Sequence, residues 1–440
     1  MIARVFTLLI LVVSATAPAR ALPSFAVQTG QPCAACHVGA FGPQLKPYGR
    51  DFKLHGYVAS DGQDHGPPLA MQVQTSFTHT GEPQAGGAAP GFRPNDNVAI
   101  DVLSLYYAGK ITTDTGAFIE LAYNGIQQQP QWGNIDIRHA AEGELFNKDL
   151  IWGQTVNNAP TVSDPWNSTP VWGFPYNRSS LAPLPMAATL IDGELAQRLA
   201  GGGFYTLWND LVYAEFDLYK GLAPPGLQFV GEVPIDAGPQ TDSVVPYVRL
   251  AFIKDWEKHH AEIGAYGLYA DGVVPGGGQT FGLPIRATDI AVDGTYQYID
   301  NPAKVTSDMI SAHTTFIHED STVTAAGAGL LFGTPNHALD TFRADVSYSI
   351  GATITPTVQY FRTSGTPDPI YWSTPTGSPN SDGVIFEVAY VPFGKPDSPF
   401  PNFNLRLAVQ YVNYFTFNGV STNAGANNNV YISLWIVAHL

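Results

Sequence analysis

The sequence contains little charge, little cysteine and no long apolar run. Only 13% of its 440 residues are charged, with 21 Lys and Arg against 37 Asp and Glu, which gives a formal net charge of -16. So low a charged fraction is unusual for a soluble enzyme, and the acidic excess argues against nucleic-acid binding while favouring cationic partners. The apolar run near the N-terminus is too short to span a bilayer as a helix.

Both cysteines lie in one short motif, Cys33-Ala34-Ala35-Cys36-His37. A zinc site needs further Cys or His ligands at matching spacing, and there is no third cysteine. A thioredoxin-like pair is normally embedded in a βαβ pattern, which this sequence lacks. The spacing is instead that of c-type haem attachment, in which two thiols bond to one porphyrin and the histidine coordinates its iron. We therefore predict one covalent haem c, with Cys33 and Cys36 as attachment residues and His37 as the proximal ligand.

The N-terminus has the features of a secretory signal peptide. Arg4 provides the positive charge, residues 5–13 form the apolar region, and an A-x-A cleavage site ends at Ala21. We predict that residues 1–21 are removed. Export agrees with the haem motif, since c-type attachment takes place outside the cytoplasm.

The segment that carries the motif, residues 22–68, is too small to bury a haem unaided. It contains a predicted helix that begins at Pro47 and ends before Gly56. Apolar and aromatic positions at helical spacing form one face of this helix: Leu45, Tyr48, Phe52 and His55. We expect Tyr48 and Phe52 to cover the haem and Arg50 or Lys53 to meet a propionate. The alternative is a helix that only packs on the following domain, with both basic residues solvated.

The sixth iron ligand remains open at this point. Met71 is the first candidate, since a thioether would raise the reduction potential. Its strand register, however, places it with apolar residues that would face lipid. His55 and His65 are the other candidates, and an open coordination position is the remaining alternative.

From Leu69 to the end of the chain, polar and apolar residues alternate with the period of a β-strand. A soluble β-sandwich would give the same local pattern. The lengths of the connections between strands distinguish it from a membrane barrel. Short turns alternate with longer Pro/Gly/Asn-rich loops along the chain, which is typical of transmembrane barrels. Residues 69–440 are therefore predicted to form an all-β, antiparallel outer-membrane barrel of about 16 strands, closed by an N-terminal helical haem plug.

Several details accompany this prediction. We expect a tight turn at 201–203 and a longer loop at 127–133. The aromatic-rich stretch 157–177 would either fold inward or lie at the surface, and we favour the surface. Acidic residues predicted to face the lumen are expected to pair with nearby arginines or to keep the lumen hydrated, rather than to guide cations: Glu120, Asp136, Glu215, Asp217, Glu262, Asp289, Asp293, Asp345 and Glu387.

The N-terminal part also resembles a known family. The resemblance is carried by Phe25 to His37, by Pro43-x-Leu45, by Tyr48-Gly49-Arg50-x-Phe52-Lys53-x-x-Gly56-Tyr57 and by Pro67-Pro68-Leu69-Ala70-Met71. These motifs, within residues 25 to about 75, look like the fused outer-membrane monohaem cytochrome–porins, which include iron-oxidising outer-membrane cytochromes. The remainder matches in size and layout only. Val27 is a departure, since the iron-oxidising members are expected to carry Arg there, and it weakens the expectation of iron oxidation.

The resemblance implies electron transfer across the outer membrane of a Gram-negative bacterium. An extracellular donor such as Fe(II), or another redox partner, would exchange electrons with a periplasmic cytochrome. The alternatives are a diffusion porin in which the haem senses or gates, and a soluble periplasmic haem protein. No nucleophile–base arrangement or nucleotide-binding loop is present, so the sequence predicts no catalysis beyond redox at iron.

Overall fold

The computed structural model describes residues 23–440, apart from 223–238, 276–282, 326–327, 329–331, 333, 373, 375 and 401. The predicted signal peptide, residues 1–21, lies outside the described residues.

Sixteen antiparallel strands form a closed barrel in which each strand pairs with its sequence neighbours and β1 pairs with β16. This confirms the predicted fold class and strand number. The strands are β1 Leu69–Thr80, β2 Asn97–Lys110, β3 Thr115–Asn124, β4 Gln129–Glu144, β5 Asp149–Asn157, β6 Leu199–Trp208, β7 Val212–Gly221, β8 Val244–Trp256, β9 His259–Val273, β10 Ile285–Ile299, β11 Met309–Val323, β12 Asn336–Ser349, β13 Ile354–Gly365, β14 Ser381–Tyr390, β15 Phe403–Thr416 and β16 Asn429–His439.

The strands present opposite faces to the lumen and to the exterior. On β7, Tyr213, Glu215 and Asp217 are buried in the lumen, whereas Phe216 and Leu218 are about half exposed on the outside. The same alternation leaves large apolar side chains exposed around the barrel, among them Phe204, Val248, Leu250, Phe252, Ile263, Ile290 and Phe386. An exterior of this kind is suited to lipid.

The helices are short and gather mainly at the N-terminus. They are α1 Pro23–Thr29, α2 Cys33–Cys36, α3 Pro47–Leu54 and α4 Pro369–Trp372, with 3-10 turns at Val38–Ala40, Pro170–Trp172 and Ala424–Asn427 and a wide helical turn at Leu190–Glu194. Among the described residues, none of these helices is long and apolar enough to cross a bilayer. Helix α3 begins at Pro47, and Gly56 follows it in the left-handed region at φ 70°, as the sequence indicates.

We call residues 23–68 the plug, because they enter one end of the barrel and contact the connections there. At this end, the turn end, lie residues 111–114, 145–148, 209–211, 257–258, 300–308, 350–353 and 391–400. Lys46 Nζ donates to the carbonyl of Val305 at 2.9 Å, and the N–H of Ala34 donates to the carbonyl of Gly394 at 3.0 Å. The opposite end is the loop end.

Two local expectations were wrong. Residues 201–203 lie inside β6, and the turn that follows spans 209–211. A side chain at Gly203 would overlap Asp217 on the neighbouring strand, so glycine here makes room in the lumen rather than a turn. The loop expected at 127–133 is limited to 125–128, because β4 already begins at Gln129.

The connection between β5 and β6, residues 158–198, folds into the lumen, and we call it the inward segment. Trp166 is 1% exposed and Asp164 is fully buried. The expectation that 157–177 is a surface loop was therefore wrong. The reason is that its polar groups find partners inside: Asp164 Oδ2 accepts the backbone N–H groups of Ser168 and Thr169 at 2.8 and 3.1 Å.

Candidate functional site

The predicted haem motif is held in place by hydrogen bonds within the plug. Cys33–Cys36 forms helix α2, and the N–H of His37 donates to the carbonyl of Cys33 at 2.9 Å. The N–H of Lys46 donates to the carbonyl of Cys36 at 2.8 Å, and Lys46 Nζ donates to the carbonyl of Ala34 at 2.8 Å. These contacts fix the three functional side chains relative to one another.

Cys33, Cys36 and His37 all line one cavity of about 720 Å³ in the lumen. The plug, the inward segment and the barrel wall together form its boundary. Much of the lining is aromatic, including Phe41, Phe52, Phe118, Trp172, Phe174 and Trp435. The volume is within the usual range for small-molecule and cofactor sites, and aromatic walls are typical of them.

The states of the three motif residues are compatible with c-type haem attachment. Both cysteines are free, and burial raises the pKa of their thiols, that of Cys36 to about 12. His37 Nδ1 is buried without a hydrogen-bond partner. Burial lowers the pKa of His37 to about 4, against smaller backbone contributions from Gln44 and Gly42, so the imidazole is neutral at neutral pH, the form that binds metals. The residues present therefore fit the group.

Phe52 is the helix residue that the prediction placed best. It lines the cavity and packs edge to face on Phe25, with ring centroids 5.1 Å apart. Lys53 also lines the cavity, but its ammonium points into the inward segment, donating to the carbonyls of Val162 and Asp164 at 2.6 and 2.8 Å. Lys53 therefore ties the plug to the inward segment.

Tyr48 and Arg50 do not reach the cavity, which corrects their predicted roles. Tyr48 is 39% exposed. Arg50 is buried, but its guanidinium donates to Asp255 at 2.6 Å and stacks over Trp166 at 3.6 Å from the ring centroid. Arg50, two residues before Phe52, lies on another face of α3, whereas Tyr48, four residues before Phe52, shares its face but lies one turn earlier and is partly exposed. Helical spacing alone therefore placed both residues too close to the cavity.

The structure also corrects the predicted sixth ligands. Met71 is 42% exposed on the outside of β1, next to Gln72, which lines the cavity. Strand alternation thus turns its thioether away from the lumen. His55 lies at 3.1 Å from Glu142.

His65 lies at 3.0 Å from Asp61 and, like His55, is away from the cavity. Within the described cavity lining, His37 is the only histidine or methionine. No group of three or more His, Cys, Asp or Glu suited to a metal ion occurs among the described residues.

Sequence reasoning missed Asn404 on β15. Its Nδ2 donates to Cys33 Sγ at 3.2 Å and to the carbonyl of Ala40 at 2.9 Å. The alternating pattern places this residue on the lumen face, but nothing local indicates that it contacts a motif more than three hundred residues earlier.

The inward segment is fastened at both ends. Near the plug, the N–H of Leu45 donates to the carbonyl of Trp166 at 3.2 Å. Near the wall, the N–H groups of Leu190 and Ile191 donate to Glu319 and Asp289, each at 2.8 Å. Asp192 forms a two-point ion pair with Arg343 at 2.5 and 2.6 Å. The segment therefore crosses the lumen as a fixed partition.

Several lumen-facing carboxylates pair with arginines, as expected. Arg249 contacts Glu262 at 2.5 Å and Asp293 at 2.8 Å. Arg138 pairs with Asp136 at 2.8 Å.

No protein-family model and no curated protein sequence matches the chain. The solved structures to which the chain is similar include the following three, each covering 84% of it. The channel DcaP of Acinetobacter baumannii is 12% identical, with 96% of its chain covered and a TM-score of 0.49. OprB of Pseudomonas putida at high pH is 10% identical (93% covered, TM-score 0.45), and an anion-selective porin from Comamonas acidovorans is 10% identical (98% covered, TM-score 0.42). The barrel described above rests on its own strand pairing.

Proposed function

We propose that this chain is an outer-membrane electron-transfer protein that holds one c-type haem inside its barrel. The observation that supports this most is that Cys33, Cys36 and His37 face a single aromatic-lined cavity within the lumen. A plug too small to shelter a haem gains the missing walls from the barrel and the inward segment.

The exterior supports placement in a membrane. Val248, Leu250 and Phe252 on β8 are each about half exposed on the outside, and such surfaces are stable against lipid rather than water. Closed barrels of this kind are found in the outer membrane of Gram-negative bacteria, with short turns towards the periplasm. The plug would then enter from the periplasmic side, and a soluble periplasmic haem protein is disfavoured.

A bound haem supplies one-electron redox chemistry at its iron. The chain would hold it covalently through Cys33 and Cys36 and offer the neutral imidazole of His37 to the metal. Phe52 and Trp435 would exclude water from the cavity, which together with ligand choice sets the potential.

The two ends of the barrel fit two kinds of redox partner. The plug is accessible at the turn end, where Tyr48 is 39% exposed, and a periplasmic cytochrome would exchange electrons there. The cavity extends from the plug to Asp192 and Glu194 in the inward segment. An extracellular donor such as Fe(II), or another donor or acceptor, would approach from the loop end.

A diffusion porin is the second candidate, because the barrel is closed and contains a cavity. The plug and the inward segment nevertheless both occupy the lumen. Their mutual contacts, such as Asn167 Nδ2 to the carbonyl of Pro43 at 2.8 Å, would have to open before a solute could pass. This observation argues against a permanently open diffusion pore.

The test uses the full chain produced with a c-type haem maturation system and purified in detergent from the outer-membrane fraction. We expect haem to stay with the chain on a denaturing gel and to give a pyridine haemochrome spectrum. The matched control is the double variant Cys33→Ala/Cys36→Ala, which should carry no covalent haem.

Two further measurements separate the candidates. Electron transfer predicts a haem reduced by an external donor and no open-pore conductance in planar bilayers. An open pore in a chain whose haem no external donor reduces would replace this proposal with the porin.

A further inference from the structure

Two lumen-facing residues of adjacent strands stand opposite each other beside the haem motif. Arg406 on β15 is in register with Trp435 on β16, and its guanidinium carbon lies 5.4 Å from the centroid of the indole ring. Asn404, the next lumen-facing residue towards the turn end of β15, donates to Cys33 Sγ at 3.2 Å. Phe41 of the plug packs edge to face on Trp435, with centroids 5.7 Å apart. Arg406 is therefore two residues along β15 from Asn404, the residue that contacts Cys33.

Each member of the pair has a buried donor without a partner. Arg406 is 3% exposed and Trp435 is 8% exposed. Arg406 uses Nη2 for Glu387, which leaves Nη1 unpaired, and Trp435 Nε1 is unpaired as well. Buried donors are nearly always satisfied, so two free donors beside one cavity indicate a ligand that accepts hydrogen bonds.

Glu387 is the carboxylate that Arg406 contacts, and both of its oxygens already accept a hydrogen bond. Glu387 receives Arg406 on Oε1 and Gln410 Nε2 on Oε2, the latter at 3.1 Å. Tyr176 lines the cavity near the same guanidinium, whose carbon lies 5.8 Å from the Tyr176 ring centroid. One planar charged donor and one indole N–H are the groups that recognise a carboxylate.

Trp435 lines the cavity, and Arg406 stands beside it on β15 between the lining residues Asn404 and Gln410, without itself being part of the lining. We propose that Trp435 and Arg406 together form a carboxylate-binding site at this part of the cavity. A propionate of the haem is the first source of that carboxylate, and for this source the inference rests on the proposed function. A free carboxylate in the lumen is the second source. Arg50, the basic residue that the sequence suggested for this role, is held by Asp255 instead.

The experiment measures the midpoint potential of the purified haem-loaded chain at one fixed pH, for the wild type and for Trp435→Phe and Arg406→Gln. Each substitution removes one donor while keeping most of the side-chain volume. With a donor gone, the carboxylate places more negative charge on the iron and favours the oxidised form. We expect the equilibrium constant for reduction to fall about tenfold, which is about 59 mV for one electron.

The matched control is Trp166→Phe. Trp166 is also buried under an arginine and also has an unpaired Nε1, but it does not line the cavity, whereas Trp435 does. Its potential should equal that of the wild type. Heat-dependent mobility on gels establishes that each barrel is folded, and if Arg406→Gln does not fold, Trp435→Phe alone decides.

The outcomes separate the two proposals. Covalent haem with unchanged potentials in both variants overturns the carboxylate site and leaves the proposed function standing. Absence of covalent haem in the wild type refutes the proposed function, and calorimetry with succinate then decides the inference. Succinate binding weakened at least tenfold by Trp435→Phe supports a site for free carboxylate, and no binding overturns it.

Discussion

Gly49 provides the sharpest test of how the plug holds the haem motif. It lies in α3, directly against α2. A Cβ at this position would be 2.5 Å from the carbonyl oxygen of Cys36 and 3.1 Å from the Cys36 Cα. Since contacts under 3.0 Å to backbone are not tolerated, Gly49→Ala must separate the two helices by at least 0.5 Å, the difference between 3.0 and 2.5 Å.

The energetic effect can be bracketed. Overpacking of this kind costs about 1–3 kcal/mol, whereas alanine gains about 1 kcal/mol over glycine inside a helix. The net cost of Gly49→Ala is therefore about 0–2 kcal/mol, and it acts on the contact between the helices rather than on the barrel. Phe52 and Lys53 move with α3, so the cavity wall moves too. We expect less covalent haem per chain and faster proteolysis of the plug.

Covalent haem per chain is measured by pyridine haemochrome, and heat-dependent gel mobility reports the barrel. The control is Gly143→Ala, a position where an added Cβ meets nothing within 4 Å. If Gly49→Ala carried as much haem as Gly143→Ala and resisted protease equally, close packing of α3 on Cys36 would have no role in holding the motif.

Three further predictions concern the plug and the ligand set. A hydrogen bond to Asp51, helped by nearby Glu142, raises the pKa of His55 to about 9. The pKa in the unfolded chain is about 6.5, so the protonated imidazole stabilises the folded plug fully below about pH 6.5. This stabilisation is lost as the pH rises through about 9. Proteolysis of the plug should accordingly be faster at about pH 10 than at about pH 6, and His55→Gln should abolish the difference. Met71→Leu should leave the absorption spectrum of the haem unchanged, because the side chain is outside the barrel; a spectrum showing lost methionine ligation would refute that placement. Lys53→Met leaves buried carbonyl acceptors unpaired at a cost of about 1–3 kcal/mol, which should appear as a lower denaturant concentration for plug release, with no change in barrel mobility on gels.

Features that depend on neighbouring residues could be predicted from the sequence. Period-two alternation and connection lengths gave the closed barrel and its strand number. Proline at the first helical position and Gly56 after the last turn bounded α3. These signals are local, because each follows from backbone geometry within a few residues.

Features that depend on distant partners could not be predicted. The glycines at 201–203 are typical of a turn, yet side chains at Gly201 and Gly203 would overlap Tyr219 and Asp217 on β7. Arg50 has the chemistry to bind a propionate, but its guanidinium is paired with Asp255, which is distant in the sequence. The inward segment has the composition of a surface loop, and its buried position follows only from partners in the plug and the wall.

The polar contacts of the plug tie it to the barrel. Arg50, Lys46 and Tyr57 are buried, and each finds its partner outside the plug: Arg50 in Asp255, Lys46 partly in the Val305 carbonyl, and Tyr57 in Asp136 at 2.6 Å. Unpaired buried cations are strongly unfavourable, so these side chains cannot take their present positions until β4, β8 and the 300–308 turn are in place. The buried polar side chains of the plug therefore reach their observed positions only in contact with the barrel.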